Sequence, residues 1–277
     1  IQRTDDLLSN ISLPPSTGFL TYTENLGKIE NRGYELAVSV TPWRDDERQA
    51  YVTLSATALH NKNKIKKIYD IFKNSNDEQN SSLDGSYDYN DGQPGDTEVL
   101  EKYLNKFTKP ATLYYEGCSM TAIWGVRSLG IDPATGQEMF LTKDGRSTYT
   151  WSSADQVVIG DTSPKMSGTL NLNAGYKGFT FSASCSYKFG GDLYNSELVA
   201  RMENINGQSN LDRRLFNAWQ KVGDVAPYKV TVISSGSTNY TKPTSRFVQK
   251  NNELYISSVN VGYDFAGAAW LKKIALE

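Results

Sequence analysis

Histidine and cysteine are nearly missing from this chain: 277 residues carry one His and two Cys. Cys118 and Cys185 lie far apart with no metal-ligand spacing, so neither a zinc site nor a disulfide scaffold is expected. The lone His60 sits at the head of a lysine-rich stretch with no Ser-His-Asp pattern around it, and a retaining carboxylate pair cannot be asserted from sequence. No catalytic, cofactor-binding or metal-binding residue is therefore expected, and no cofactor. A basic excess is also missing. With a formal charge of −2 the chain has nothing to neutralise a phosphate backbone, which argues against a nucleic-acid partner. No apolar run approaches the roughly 18 to 20 residues of a transmembrane helix. The chain lacks a starting Met and a signal peptide and opens on IQRTDDLL, so a piece of a longer protein is expected.

What is present is alternation. From Phe179 the residues Phe179, Phe181, Ala183, Cys185, Tyr187 and Phe189 are apolar or aromatic, while Thr180, Ser182, Ser184, Ser186 and Lys188 between them are polar. Side chains on a strand point alternately to opposite faces, so this run has one apolar face and one polar face. Leu170, Leu172, Ala174 and Tyr176 repeat the pattern against Thr169, Asn171 and Asn173, and only Lys177-Gly178 separates the two runs. A two-residue connection carrying Gly predicts a tight antiparallel hairpin.

Aromatics stand at both ends of the second run, with small residues in the middle. Ten residue steps from Phe179 to Phe189 cover about 33 Å of strand. Tilted by about 40°, that projects to about 25 Å, the height of a membrane barrel's apolar band between aromatic girdles. A polar face of Ser, Thr and Asn suits a water-filled lumen. The 17 Tyr, against 10 Phe and 5 Trp, fit interfaces, girdles and sugar-binding surfaces alike.

Taken in order, residues 1–13 give a weak strand ended by Pro14-Pro15. A strand follows at Tyr34–Thr41, then a charged turn at 42–49 and a strand at Ala50–His60. Asn61–Lys67 (NKNKIKK) reads as the start of a solvated loop over about 62–112. Ser81–Asp96 in that loop is crowded with Asp, Asn and Gly but departs from the EF-hand order, so no calcium site is expected. Glu98–Phe107 is a candidate short helix. Ser119–Gly130 is expected as one strand, with a turn at 132–137, a short return at Glu138–Leu141 and a turn at 143–146. The second long connection, about 191–244, should hold one or two short helices within Glu197–Trp219, and a last strand lies within Ser245–Phe265. Short turns alternating with very long loops are unusual for a soluble sandwich and usual for outer-membrane barrels.

Five segments occur in an order that resembles the C-terminal barrel portion of SusC/RagA-like TonB-dependent outer-membrane transporters. They are Asn25–Glu35 (NLGKIENRGYE), Gly136 with Asp144-Gly145, Ile159–Lys165 (IGDTSPK), Tyr187–Asn195 (YKFGGDLYN) and Ser245–Phe265. The resemblance implies an all-β chain, part of a large antiparallel transmembrane β-barrel, supplying about eight or nine strands of a 22-stranded barrel. Residues 1–277 would form a single barrel segment incomplete at both ends, with outward loops at about 62–112 and 191–244 and periplasmic turns at 42–49 and 177–178. It also implies nutrient import, of glycan or peptide, across the outer membrane of a Gram-negative bacterium of Bacteroidetes type. The implied partners are a SusD-like surface lipoprotein, the TonB complex through an N-terminal part absent here, an oligosaccharide or peptide substrate, and lipid. Substrate-binding residues are not carried over, because such contacts lie in variable loops.

The alternative is a soluble β-rich carbohydrate-binding module, in which Trp124, Trp151, Tyr87 and Tyr89 stack on sugars. Solubility without detergent separates it from the membrane reading.

Overall fold

The computed structural model describes residues 2–4, 8–12, 21–25, 27–84, 108–205, 212–230 and 240–264. The expected helix Glu98–Phe107, Tyr87, Tyr89 and most of the Ser81–Asp96 loop lie outside them. The chain is built mainly of antiparallel strands: β1 (Gln2–Thr4), β2 (Leu8–Ser12), β3 (Thr21–Asn25), β4 (Gly27–Asp45), β5 (Ala50–Ile68), β6 (Ala122–Gly125), β7 (Arg127–Ile131), β8 (Glu138–Leu141), β9 (Ser147–Thr148), β10 (Val157–Asp161), β11 (Met166–Tyr176), β12 (Phe179–Tyr194) and β13 (Val248–Tyr263). Among the described residues, two α-helices accompany them, α1 (Asp70–Asp84) and α2 (Ser196–Met202). The largest sheet has the order β1-β4-β5-β11-β12-β13 and, among the described residues, does not close on itself. The chain divides into two compact units.

One unit comprises residues 32–62, 164–191 and 251–277. Its centre is the β11–β12 hairpin, paired in register from Met166 opposite Phe189 to Tyr176 opposite Phe179. Lys177 and Gly178 both have positive φ, 47° and 87°, the type I′ turn whose twist matches that of the flanking strands. β5 pairs with the other edge of β11, and register sets the faces. Leu172 stands opposite both Leu54 and Ala183, and Ala174 opposite both Val52 and Phe181. Tyr34, Leu36, Val38 and Val40 on β4 and Tyr255, Val259, Val261 and Tyr263 on β13 are exposed large apolar side chains at alternate positions. Leu254 and Ile256 break the alternation in the middle of β13.

The other unit comprises residues 1–31, 63–163 and 192–250. Its core gathers Ile123, Tyr194, Leu198, Val199, Met202 and Phe247, with α2 lying directly on it. Asn195 caps α2 by accepting from the Leu198 N–H, as an N-cap Asn does. Below Ile68, α1 turns a face of Phe72, Asn76, Gln79, Asn80 and Leu83 inwards. Asn76 is fully buried, and its side-chain amide exchanges two hydrogen bonds with the Tyr114 backbone, at 2.6 and 2.9 Å. That pairing copies a strand ladder with a side chain.

Three sequence expectations need correction. β5 runs to Ile68, so Asn61–Lys67 is strand rather than loop: its far end bonds to the 117–118 segment through Ile65 N–H to Cys118 O and Gly117 N–H to Ile65 O. α1 then occupies 70–84, where only loop was expected. Ser119–Gly130 is two strands and not one. β6 pairs with β10, but at Val126 the backbone changes partner to the 243–245 segment, and β7 then pairs with β8. The hairpin, the return at Glu138–Leu141 and helix within 197–219 (α2 and a single turn at 213–217) are observed as expected.

Candidate functional site

The polar face of the hairpin unit is a candidate surface. Asn171 stands opposite Ser55 and Ser184, and Asn173 opposite Thr53 and Ser182. These side chains bond sideways across the strands. Ser184 Oγ donates to Asn171 Oδ1 at 2.7 Å, and Asn260 Nδ2 donates to Ser182 Oγ at 3.2 Å. Hydroxyl pairs link Ser39 with Ser55, Thr41 with Thr53 and Thr57 with Thr169, at 2.9, 3.1 and 2.9 Å. The opposite face carries the exposed apolar band. A sheet wet on one face and greasy on the other, with the greasy face uncovered, is what a barrel wall in lipid requires.

In the other unit, a buried ionic clamp ties together segments distant in sequence. Arg246 lies in the turn before β13, Glu138 opens β8, and Glu203 follows α2. The guanidinium donates through Nε and Nη2 to Glu138, both at 2.7 Å, and through Nη1 and Nη2 to Glu203 at 2.9 and 2.8 Å. Glu203 also accepts from Thr241 Oγ1 and from the Lys229 N–H. Its side chain has no exposed surface. Burial pushes the Glu203 carboxyl up, and the paired guanidinium more than reverses this, so the group sits below the usual carboxylate value. Burial pulls Arg246 down, and its bonds to Glu138 and the charge of Glu203 carry it above its ordinary value. Fork-to-fork arginine pairs give direction as well as attraction, so the clamp fixes the path of the connecting segments.

Two cavities flank these segments. One, of about 310 Å³, has Trp151 and Lys242 on its wall, with Lys242 Nζ 5.0 Å from the indole centre. The other, of about 320 Å³, lies beside Tyr115 and Trp124, whose ring centres are 4.9 Å apart. Trp124 and Trp151 are therefore both pocket residues, and neither is an open stacking platform: Trp124 is buried, and Trp151 Nε1 donates to Pro243 O. Sequence reading did not single out Gln156, Asn80 or the Arg246 clamp, because polar residues in loops read as solvated surface.

His60 stands 5.0 Å from the Tyr34 ring, with Nδ1 at the Lys165 carbonyl. Cys118 and Cys185 are both thiols without a disulfide. Among the described residues no group of three or more His, Cys, Asp or Glu side chains is placed to hold a metal ion. No helix among them is long and apolar enough to cross a membrane, which leaves crossing by strands open.

No family model matches the chain. It is similar to TonB-dependent receptor P39 of Formosa agariphila, at 24% identity over 96% of this chain and 27% of the relative. It is similar to TonB-dependent receptor P3 of the same organism, at 25% identity over 99% of this chain and 26% of the relative. The chain thus spans about a quarter of the length of these curated relatives. Among solved structures it is similar to a chain of the RagAB peptide transporter, with a TM-score of 0.61 and 18% identity over 94% of this chain and 26% of the other. A chain of the RagAB peptide importer in its closed-closed state gives 0.63 and 19%, with the same coverage. The fold is that of part of the barrel in these chains, and the sequence resemblance to TonB-dependent receptors runs through nearly the whole chain.

Proposed function

We propose that this chain is a stretch of the barrel of a SusC/RagA-like TonB-dependent transporter, which imports a glycan or peptide across the outer membrane of a Gram-negative bacterium. The observation that carries the reading is the hairpin unit, with its exposed apolar band on one face and its hydrogen-bonded Ser, Thr and Asn face on the other. The apolar band meets lipid and the polar face meets the lumen. The wall belongs to a 22-stranded barrel, of which the six strands of the large sheet are one sector. The chain performs no bond chemistry.

On the same reading, the turns at 46–49 and 177–178 face the periplasm, and the segments between β5 and β11 and between β12 and β13 face outward. There they meet a SusD-like surface lipoprotein and the incoming substrate. TonB engages a part of the transporter outside this stretch. The similarity to TonB-dependent receptors over nearly the whole chain, and to the RagAB chains in fold, supports this assignment.

The test is made on native cells. Outer membranes are fractionated and probed with an antibody against residues 165–190 on unheated and boiled gels. A band much larger than 30.8 kDa that runs faster unheated is expected. A soluble band near 30.8 kDa with no heat shift returns the chain to the carbohydrate-binding-module reading.

A further inference from the structure

The apolar face of the hairpin unit ends in charge, and its two ends are charged differently. On β4 the exposed run Val40, Val38, Leu36 and Tyr34 continues to Arg32, two residues further and on the same face. On β5 the His60 ring lies 5.0 Å from the Tyr34 ring, so His60 shares this face, and so does Lys62 two residues on. The two strands are neighbours joined by the short turn at 46–49 and therefore run antiparallel. A β-carbon on Gly33 would collide with the His60 carbonyl and stand 3.3 Å from the Asn61 Cα, which sets Gly33 against Asn61. That register puts Arg32 opposite Lys62, and both are exposed. Like charges at opposed positions of an antiparallel pair repel. The next acid along β4, Glu30, is buried and paired with Lys66 at 3.3 Å.

The other end of the face is neutralised from within. Arg44 Nε bonds to Asp46 at 2.8 Å, and Arg48 Nε lies 3.6 Å from Asp45. Cations there stand beside acids of their own turn, whereas at the Arg32 end two cations stand against each other.

We propose that Arg32 and Lys62 dock the phosphate of an anionic lipid headgroup in the outward leaflet, above a floor made by the Tyr34 and His60 rings. The assignment rests on the import reading above, which puts this face in lipid, and adds which lipid the face selects. Two residue steps beyond Tyr34 are about 7 Å of strand, or about 5 Å along the membrane normal at a tilt of about 40°. The headgroup layer is about 5–8 Å deep on each side of the hydrocarbon, and tyrosines settle at its boundary, so the two cations stand at the height of the phosphates. A phosphate between them turns repulsion into two attractions. The guanidinium offers a planar fork of N–H donors and the ammonium a compact charge. A zwitterionic headgroup brings a third cation to the same place and answers the pair less well. His60 is held with Nδ1 at the Lys165 carbonyl, which fixes the ring beneath the phosphate.

The test is native mass spectrometry of the full-length receptor in detergent, titrated with dioleoylphosphatidylglycerol or with dioleoylphosphatidylcholine. The wild type is expected to take its first phosphatidylglycerol at least tenfold more tightly than its first phosphatidylcholine. Affinity for phosphatidylglycerol should fall about fivefold in Arg32→Gln and in Lys62→Gln, and further in the double variant, while phosphatidylcholine binding stays as it was. Arg44→Gln, at the neutralised end, should change neither. Heat-shifted gel mobility, checked for each variant, reports that the barrel is intact, and the single variants decide the matter if the double variant loses it. Four results overturn the proposal: the wild type shows no preference, the variants at 32 and 62 keep it, Arg44→Gln lowers it as much as they do, or inorganic phosphate at the lipid's concentration displaces the lipid, which assigns the pair to a soluble anion. Each leaves the import reading standing while the wild-type heat shift persists, whereas loss of that shift removes the import reading whatever the pair binds.

Discussion

The Tyr187 hydroxyl lies over Gly168: a β-carbon on the glycine would stand 2.8 Å from that oxygen and collide with the Thr57 carbonyl behind it. Tyr187 is the cross-strand partner of Gly168, and its hydroxyl donates to Thr57 O at 2.9 Å. Thr57 Oγ1 in turn accepts from the Thr169 N–H at 2.9 Å. Thr57, Thr169 and Tyr187 make these bonds where the β5–β11 pairing passes over Gly168 and Thr169.

Gly168→Val should therefore weaken the wall itself. Overpacking at this point is expected to cost about 1–3 kcal/mol, seen as a lower temperature for loss of the unheated fast-running band. Tyr187→Phe, which loses one hydrogen bond and no volume, should cost about 1 kcal/mol by the same assay. An unchanged transition in Gly168→Val would show that the close approach at Thr57 is relieved at no cost.

The two faces of β12 separate in a charge scan. Ala183→Arg puts a cation on the apolar face near the middle of the strand, at a cost of about 2–4 kcal/mol if that face meets lipid at mid-depth. Ser184→Arg, one residue on, points to the polar face and should fold nearly as the native protein does. Equal losses of folded barrel in urea titrations of the two variants count against the face assignment.

Arg246→Ala leaves Glu138 and Glu203 buried together without the guanidinium that bonds them both, which is expected to cost about 3–5 kcal/mol. Hydrogen exchange should rise at 196–204 and 240–247 while the β11–β12 hairpin stays protected. The pH dependence follows from the sign of the Glu203 shift. Its folded value is depressed, so the stabilisation is fully present above the ordinary value of 4.5 and is lost as pH falls through the lower folded value. Arg246 is raised, so its share is fully present throughout the acid and neutral range. Protection in these segments, corrected for the intrinsic exchange rate at each pH, should thus be flat from pH 5 upward and fall only in acid.

Asn76→Ala removes both bonds to the Tyr114 backbone and leaves a buried N–H and C=O without partners, at about 1–3 kcal/mol for each. The Tyr114 amide should lose exchange protection, with α1 following. Unaltered protection at Tyr114 would mean that the Phe72–Tyr114 ring contact, 4.5 Å between centres, suffices to dock the helix.

What the sequence made legible was the part of the wall with an apolar face. Between Met166 and Phe189 the alternation sets strand, turn and register together, and the observed pairing agrees with it at every position. The same signal fades where strands leave the apolar band. Asn61–Lys67 has no greasy face to alternate with, so its strand reads as loop although its backbone is paired. α1 is hidden for a related reason. Its inward face recurs at helical spacing, but Asn76, Gln79 and Asn80 hold it by amide hydrogen bonds, and a hydrophobic pattern search passes over them. The break at Val126 depends on a partner more than a hundred residues later, which no local pattern carries.

The sideways bonding of the Ser, Thr and Asn face bears on friction. Hydroxyl and amide hydrogens engaged with a neighbouring strand are not on offer to a solute passing over them. Each hydroxyl pair keeps one hydrogen for solvent, so the face offers a hydrophilic molecule water-like company with fewer free donors than its composition suggests. On the import reading, residence on such a wall is short and the wall behaves as a lubricated track.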